Sequence, residues 1–270
     1  LQNRKVLWMR YLPLSNKDRE SMLNTIGIES IDNLFDELPK SEVPQNLPKH
    51  KSELQVDREL SQIANENLPY TQVPSFLGAG NYCHYSPASL DYIIQRGEFL
   101  TSYTPYQPEV SQGTLQAHFE FQSMVCELTG MEAANAGMYD GATSAAEAAL
   151  MACRINKNLT INIVDGVSPL YTDVIKTLTQ ASGIEIIQND LNSVLKESHE
   201  PPACYVIQQP NFSGEIEDFS KLSEISKLNN ALLIVITEPM FLIMYKTPNH
   251  YGADIVVAEG QPFGVSLAYG

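Results

Sequence analysis

From Thr160 onward the chain alternates short runs rich in Ile, Val and Leu with longer amphipathic segments. That rhythm constrains the fold more than any other feature. The apolar runs lie near residues 161–164, 184–187, 204–208, 232–236 and 254–257, and helical patterns fit between them at 169–180, 191–197 and 219–228. Short apolar runs bounded by turn signals read as strands buried on both faces, and strands joined through helices become parallel neighbours. The expectation is an α/β fold with a mostly parallel sheet, helices on both faces and right-handed crossovers. Ligands of such sheets bind outside the carboxyl ends of the strands, so the loops after the strands are where chemistry is expected.

Upstream of the sheet the pattern is helical. Ser15 can cap a helix to about Ile26 with Gly27 as its stop. Ser30 can cap a helix from Ile31 to Leu38 that Pro39 ends, and Ser52 one to about Asn65 with Leu60, Ile63 and Ala64 on one face. Pro44 and Pro48 mark residues 41–49 as an extended linker. Residues 67–113 are loop-rich and aromatic, interrupted by one helix with Ser86 as cap and Pro87 in its first turn. Ser111 then caps a long helix to Thr129, stopped by Gly130. The expected organisation is a leader at 1–8 with Met9 as natural start, a helical N-terminal extension at 9–66, and a large domain at 67–270.

Composition excludes several function classes. With 43% apolar residues the chain can bury a core. A net charge of −15 repels phosphate backbones, so no nucleic-acid partner is expected, and the charge otherwise serves solubility or a partner with a basic face. No run of about 18 apolar residues exists, so no membrane span is expected. Cys83, Cys126, Cys153 and Cys204 form no CxxC pair and fit a reducing, cytoplasmic setting. The histidines are isolated, no metal site is indicated, and HExxH, GxSxG and GxGxxG are absent.

Four stretches carry candidate chemistry. Asp140-Gly-Ala-Thr-Ser144 opens an alanine-rich helix. A glycine followed by a hydroxyl at a helix N-terminus can cradle an anion, but capping by Asp140 or Thr143 explains the same residues. The loop at 78–87 carries Tyr82, His84 and Tyr85. His84 has the right type for proton transfer, and the cluster could equally pack an interface. The loop at 104–113 carries Tyr106, Glu109 and Gln112, either lining a pocket or forming a stiff turn. Glu238, after the fourth strand, stands where a pyridoxal-phosphate fold places the acid that pairs with the cofactor's ring nitrogen. Such a fold would also carry its cofactor lysine on the loop after the fifth strand, where this chain has Gln261, Pro262 and Phe263.

The motifs MRYLP, FLGAGNYCHYSP, SYTPYQPEVSQGTLQ, FEFQSMVCELTGMEAANAGMYDGATSAAEA and GADIVVAEGQPFG occur in this order from Met9 to the end of the chain. Their run resembles the P-protein (glycine dehydrogenase, decarboxylating) family of the glycine cleavage system, in the lysine-free subunit of its two-subunit form. The resemblance implies the aspartate-aminotransferase-like large domain of the pyridoxal-phosphate-dependent transferases. It implies a lysine-bearing partner subunit that holds pyridoxal phosphate, and Pro262 standing about where that partner has its lysine. It implies an enzyme active only as a hetero-oligomer, a heterotetramer, that decarboxylates glycine and passes an aminomethyl group to the lipoyl arm of the H-protein. Tyr82, His84, Tyr85, Tyr106, Glu109 and Gln112 are the expected contribution of this chain to the shared site. Family members continue past residue 270 into a small C-terminal domain, so the resemblance implies that the large domain at 67–270 is incomplete. A structural or regulatory pseudoenzyme, or a truncated remnant without function, is the alternative.

Overall fold

The computed structural model describes residues 14–38, 48–78, 80, 82–100, 103–196 and 200–267. The chain divides into two compact units, Leu1–Pro69 and Tyr70–Gly270. The expected leader, the Met9 start, the Pro39 stop, most of the linker and the helix end at Glu197 lie outside the described residues.

The smaller unit contains α1 (Asn16–Ile26) and α2 (Glu53–Ala64). Both begin as expected. Ser15 Oγ accepts from Asp18 N–H while the Asp18 carboxylate accepts from Ser15 N–H, and Ser52 and Gln55 repeat the exchange. Each such box satisfies helix donors that are otherwise orphaned. Gly27 ends α1 at φ +85°. The helix expected at 31–38 is instead a 3-10 turn, Ile31–Phe35. There Asn33 accepts from the backbone and hydroxyl of Ser30 and donates to Asp36, so side chains take bonds that an α-helix would need. No described residue of this unit is buried, and Leu60 and Ile63 on the apolar stripe of α2 remain exposed.

The larger unit opens with α3 (Ala88–Ile94), α4 (Gly97–Leu100) and α5 (Gln112–Thr129). The single turn α4 is an addition to the sequence reading, where Arg96 and Glu98 pair across its start. Ser111 sits at the N-cap of α5 without a capping side-chain bond, whereas Gly130 ends the helix at φ +75° as expected. Gly130 is needed twice over, for that φ and because a Cβ there would meet Thr247 Oγ1 at 2.9 Å; its carbonyl accepts from Asn249.

Then come α6 (Gly141–Asn156), β1 (Thr160–Val164), α7 (Pro169–Thr179), β2 (Glu185–Asn189), α8 (Leu191–Lys196), β3 (Cys204–Gln209), α9 (Ser220–Leu228), β4 (Leu232–Thr237) and β5 (Ile255–Ala258). The five strands form one sheet in the order β2-β1-β3-β4-β5, with every pairing parallel. Ile161 faces both Ile186 and Cys204 in register, and Ile234 faces both Val206 and Ile255.

Alternate residues of β1, β3, β4 and β5 feed different cores, as period 2 requires. Ile161, Ile163, Cys204, Val206, Ile234, Ile236 and Val257 pack with α6 and Ile175 of α7. Val164, Tyr205, Ile207, Leu233 and Val235 pack on the opposite face with Val194 of α8 and Leu222 of α9. Both faces are covered, which is why the strands read as unbroken apolar runs. The stripe Ala145, Ala149 and Ala152 has no exposed surface, and its small side chains let α6 lie close against α7 and across the strands. Ala149→Leu therefore overpacks a filled layer and should lower the unfolding free energy by about 1–3 kcal/mol in a urea titration. An unchanged midpoint would show that this layer has slack.

Candidate functional site

Because the sheet is parallel, the carboxyl ends of β1, β3, β4 and β5 share one edge, and the polar groups of the larger unit gather there. Gln208 of β3 accepts from Ser168 N–H at 2.7 Å, and Thr237 of β4 donates to the Gln209 carbonyl at 2.9 Å, so neighbouring strand ends are braced across the sheet.

The N-terminus of α6 reaches this edge. Asp140 caps it, with Oδ1 accepting from Thr143 N–H at 2.7 Å. Glu259, the first residue after β5, accepts from Gly141 N–H through Oε2 at 2.8 Å. First-turn N–H groups and the positive end of the helix dipole favour anions. Here the protein's own carboxylates fill that role, which decides the open question at this helix in favour of capping. Tyr171 of α7 closes the position from the side. A Cβ on residue 141 would stand 2.2 Å from the Tyr171 hydroxyl, so the ring sits where it does because Gly141 has none. Burial, and then the charges of Glu259 and Asp140, push the Tyr171 phenol up to about 12.

At the end of β4, Glu238 Oε2 accepts from Phe241 N–H at 2.8 Å. Its other oxygen, Oε1, faces His84 Nε2 at 3.9 Å, and neither atom has a hydrogen-bond partner among the described residues. That distance is too long for a direct hydrogen bond. Tyr82 meets the His84 ring edge-on, with centroids 6.5 Å apart. The expected aromatic loop is thus brought to the β4 end, and His84 is not isolated in space.

The loop after β5 forms a 3-10 turn, Gln261–Phe263, with Pro262 buried. Ser86 Oγ donates to the Gly264 carbonyl at 2.6 Å, which ties the aromatic loop to this turn. This corrects the expected cap of α3: Pro87 occupies the N-cap position, the helix begins at Ala88, and the Ser86 hydroxyl is engaged elsewhere. Of the expected site residues, the structure joins Tyr82 and His84 to Glu238. It leaves Tyr85, Tyr106, Glu109 and Gln112 facing solvent, with Tyr85 83% and Tyr106 79% exposed, so among the described residues no pocket closes around Tyr106. The sequence reading missed Glu259 and Tyr171. The available signal was an acid one residue beyond a strand end, opposite a helix start that calls for an anion.

Pyridoxal phosphate needs an amine for its aldehyde, N–H donors for its phosphate and an acid for its ring nitrogen. This chain offers Glu238 as such an acid, but it has no amine on the turn after β5, and two carboxylates hold the Gly141 and Thr143 N–H groups of the first turn of α6. The residues present do not fit that cofactor.

The model of the glycine cleavage system P-protein family matches residues 9–270. Proteins named probable glycine dehydrogenase (decarboxylating) subunit 1 are similar to this chain: one from Anoxybacillus flavithermus at 43% identity and one from Caulobacter vibrioides at 47%. Each alignment covers 97% of this chain and 60% of the relative, so the chain spans about 60% of the length of the curated relatives it matches. A crystal structure of an inhibitor-bound glycine decarboxylase (P-protein) of the glycine cleavage system superposes with a TM-score of 0.80 and 40% identity, over 96% of this chain and 60% of that one. A sphingosine-1-phosphate lyase of Burkholderia pseudomallei, at TM-score 0.56 and 12% identity, shares the fold alone over 87% of this chain and 60% of its own.

The raised Tyr171 phenol has a consequence for stability. Its folded pKa lies above the unfolded value near 10, so its contribution is intact below about pH 10 and is lost as pH rises towards 12. Tyr171→Phe should flatten the fall in urea midpoint over that window. Tyr251, which burial also pushes up to about 12, and the thiols of Cys153 and Cys204, which burial raises too, contribute to the slope that remains. Superimposable pH profiles for the two proteins would contradict the assignment.

Proposed function

The chain belongs to the glycine cleavage system P-protein family, and from that premise we propose that it is the lysine-free subunit of a two-subunit glycine decarboxylase. In this reading it is inactive alone and works in a cytoplasmic heterotetramer with a lysine-bearing homologue. One observation carries the proposal: the turn after β5 holds buried Pro262 between Gln261 and Phe263, and no amine. Pyridoxal phosphate, and the chemistry it supplies, belong to the partner. The substrate is glycine, and the aminomethyl group goes to the lipoyl arm of the H-protein.

What this chain contributes is surface. Tyr85 and Tyr106 are large, flat and exposed, Glu109 and Gln112 follow Tyr106 on the approach to α5 and at its first residue, and Tyr82 and His84 share the loop of Tyr85. Pressed against a partner, the aromatic rings wall the shared site and exclude water. His84, backed by the Glu238 carboxylate, is placed to hold or move a proton at Nε2. A remnant or purely structural pseudoenzyme is not favoured, because the relatives carry a dehydrogenase name.

Borohydride trapping tests the division of labour. Mixed with the lysine-bearing subunit, glycine decarboxylation should appear and the trapped cofactor should sit on the partner alone. Trapping on this chain by itself would refute the proposal. Tyr82→Ala and His84→Ala should each lower kcat/KM of the mixture by about 100-fold while leaving pairing on a sizing column unchanged. Full activity in both variants would remove these residues from the shared site.

A further inference from the structure

The misfit between this chain and a phosphate-bearing cofactor has a specific chemical form. Three features converge at the start of α6. Gly141 N–H donates to Glu259 Oε2 at 2.8 Å, and Thr143 N–H to Asp140 Oδ1 at 2.7 Å, so two carboxylates hold donors of the first turn. Tyr171 lies against Gly141 so closely that a Cβ there would stand 2.2 Å from its hydroxyl, which leaves no room on that side for a further group. Glu259 reaches the helix across 118 residues of sequence. The contact is therefore tertiary and not an ordinary local cap like that of Asp140.

We propose that Glu259 is a built-in replacement for a phosphate: its carboxylate permanently occupies the anion cradle of α6 and pins the turn after β5 to that helix. The carboxylate plays the part that a bound phosphomonoester would play for a helix N-terminus, satisfying donors and countering the dipole. With Asp140 beside it the site already carries two formal negative charges. A phosphate would add about −1.5 to −2 more at neutral pH, with no basic group among the residues named here to offset it. The charge of the cradle thus rejects phosphorylated ligands independently of the missing lysine. The same contact fixes the turn that holds Pro262, because Glu259 and Gln261 flank its start, and Gln261 in turn donates to the Val265 carbonyl at 2.5 Å. This inference does not rest on the proposed partnership, since the contact lies within one chain.

The test is thermal unfolding of the whole chain in chloride and in inorganic phosphate at matched ionic strength, reading each variant against wild type so that general salting effects of phosphate cancel. Glu259→Ala opens the cradle. It should melt roughly 2–4 °C lower in chloride and recover most of that loss in phosphate, with wild type gaining no more than a salting control. Equilibrium dialysis should find phosphate on Glu259→Ala and none on wild type. Glu259→Gln keeps the shape and an acceptor but removes the charge. It should melt below wild type and gain nothing specific from phosphate, and it keeps the test decisive if the alanine variant does not fold. Phosphate retained by wild type, an alanine variant that phosphate fails to rescue, or a glutamine variant as stable as wild type would each overturn the proposal.

Discussion

The two faces of the β2-β1-β3-β4-β5 sheet are covered by different helices, α6 and α7 on one side and α8 and α9 on the other. The rest of the larger unit follows from that double burial. Parallel strands cannot be joined by hairpins, so each connection must cross a face of the sheet, and the crossing helices shield the strands from water. What remains free is the ends. The amino ends receive the crossovers, and the carboxyl ends release loops whose polar residues need no place in the core. Glu238 and Glu259 sit at those ends, where a carboxylate can find backbone donors without entering the strand packing.

The helix start that meets this edge is where the electrostatics are most specific. An acidic chain with net charge −15 still directs two carboxylates at one first turn, since the N–H groups and dipole there make negative charge favourable locally. Tyr171 registers the result, with its phenol held protonated by burial and by those two charges. Glu238 and His84 face one another in a different manner. One oxygen of the carboxylate is fixed by the Phe241 amide, and the other is turned towards the imidazole at more than hydrogen-bond distance. The first pair of carboxylates is settled, whereas the second site keeps donor and acceptor capacity in hand.

The strands were legible in the sequence because the central ones, β1, β3 and β4, are buried on both faces and the flanking ones keep apolar runs, and their observed limits differ from those runs by no more than two residues at either end. The capped helices were legible for a local reason: Ser15, Ser52, Gly27 and Gly130 act on neighbours within one turn. What escaped was governed at long range or by competition. Asn33 diverted a helix into a 3-10 turn through side-chain bonds that periodicity does not record. Ser86 looked like a cap and proved to be a bridge to Gly264. Glu259 was one acid in a loop until β5 was placed beside β4, and only then did its reach to Gly141 exist. The lysine-free turn at Pro262 could be seen directly, because an absent amine needs no geometry.

The bond from Ser86 to Gly264 spans 178 residues of chain. Closing a ring of that size costs chain entropy, and in the native chain the ordered strands between the two residues hold them within reach of one another. The aromatic loop therefore takes an anchor from a turn far along the chain and not from its own neighbours. In that sense the hydroxyl of Ser86 makes the position of the loop depend on the last strand: whatever displaces the turn after β5 also releases the loop that carries Tyr82 and His84.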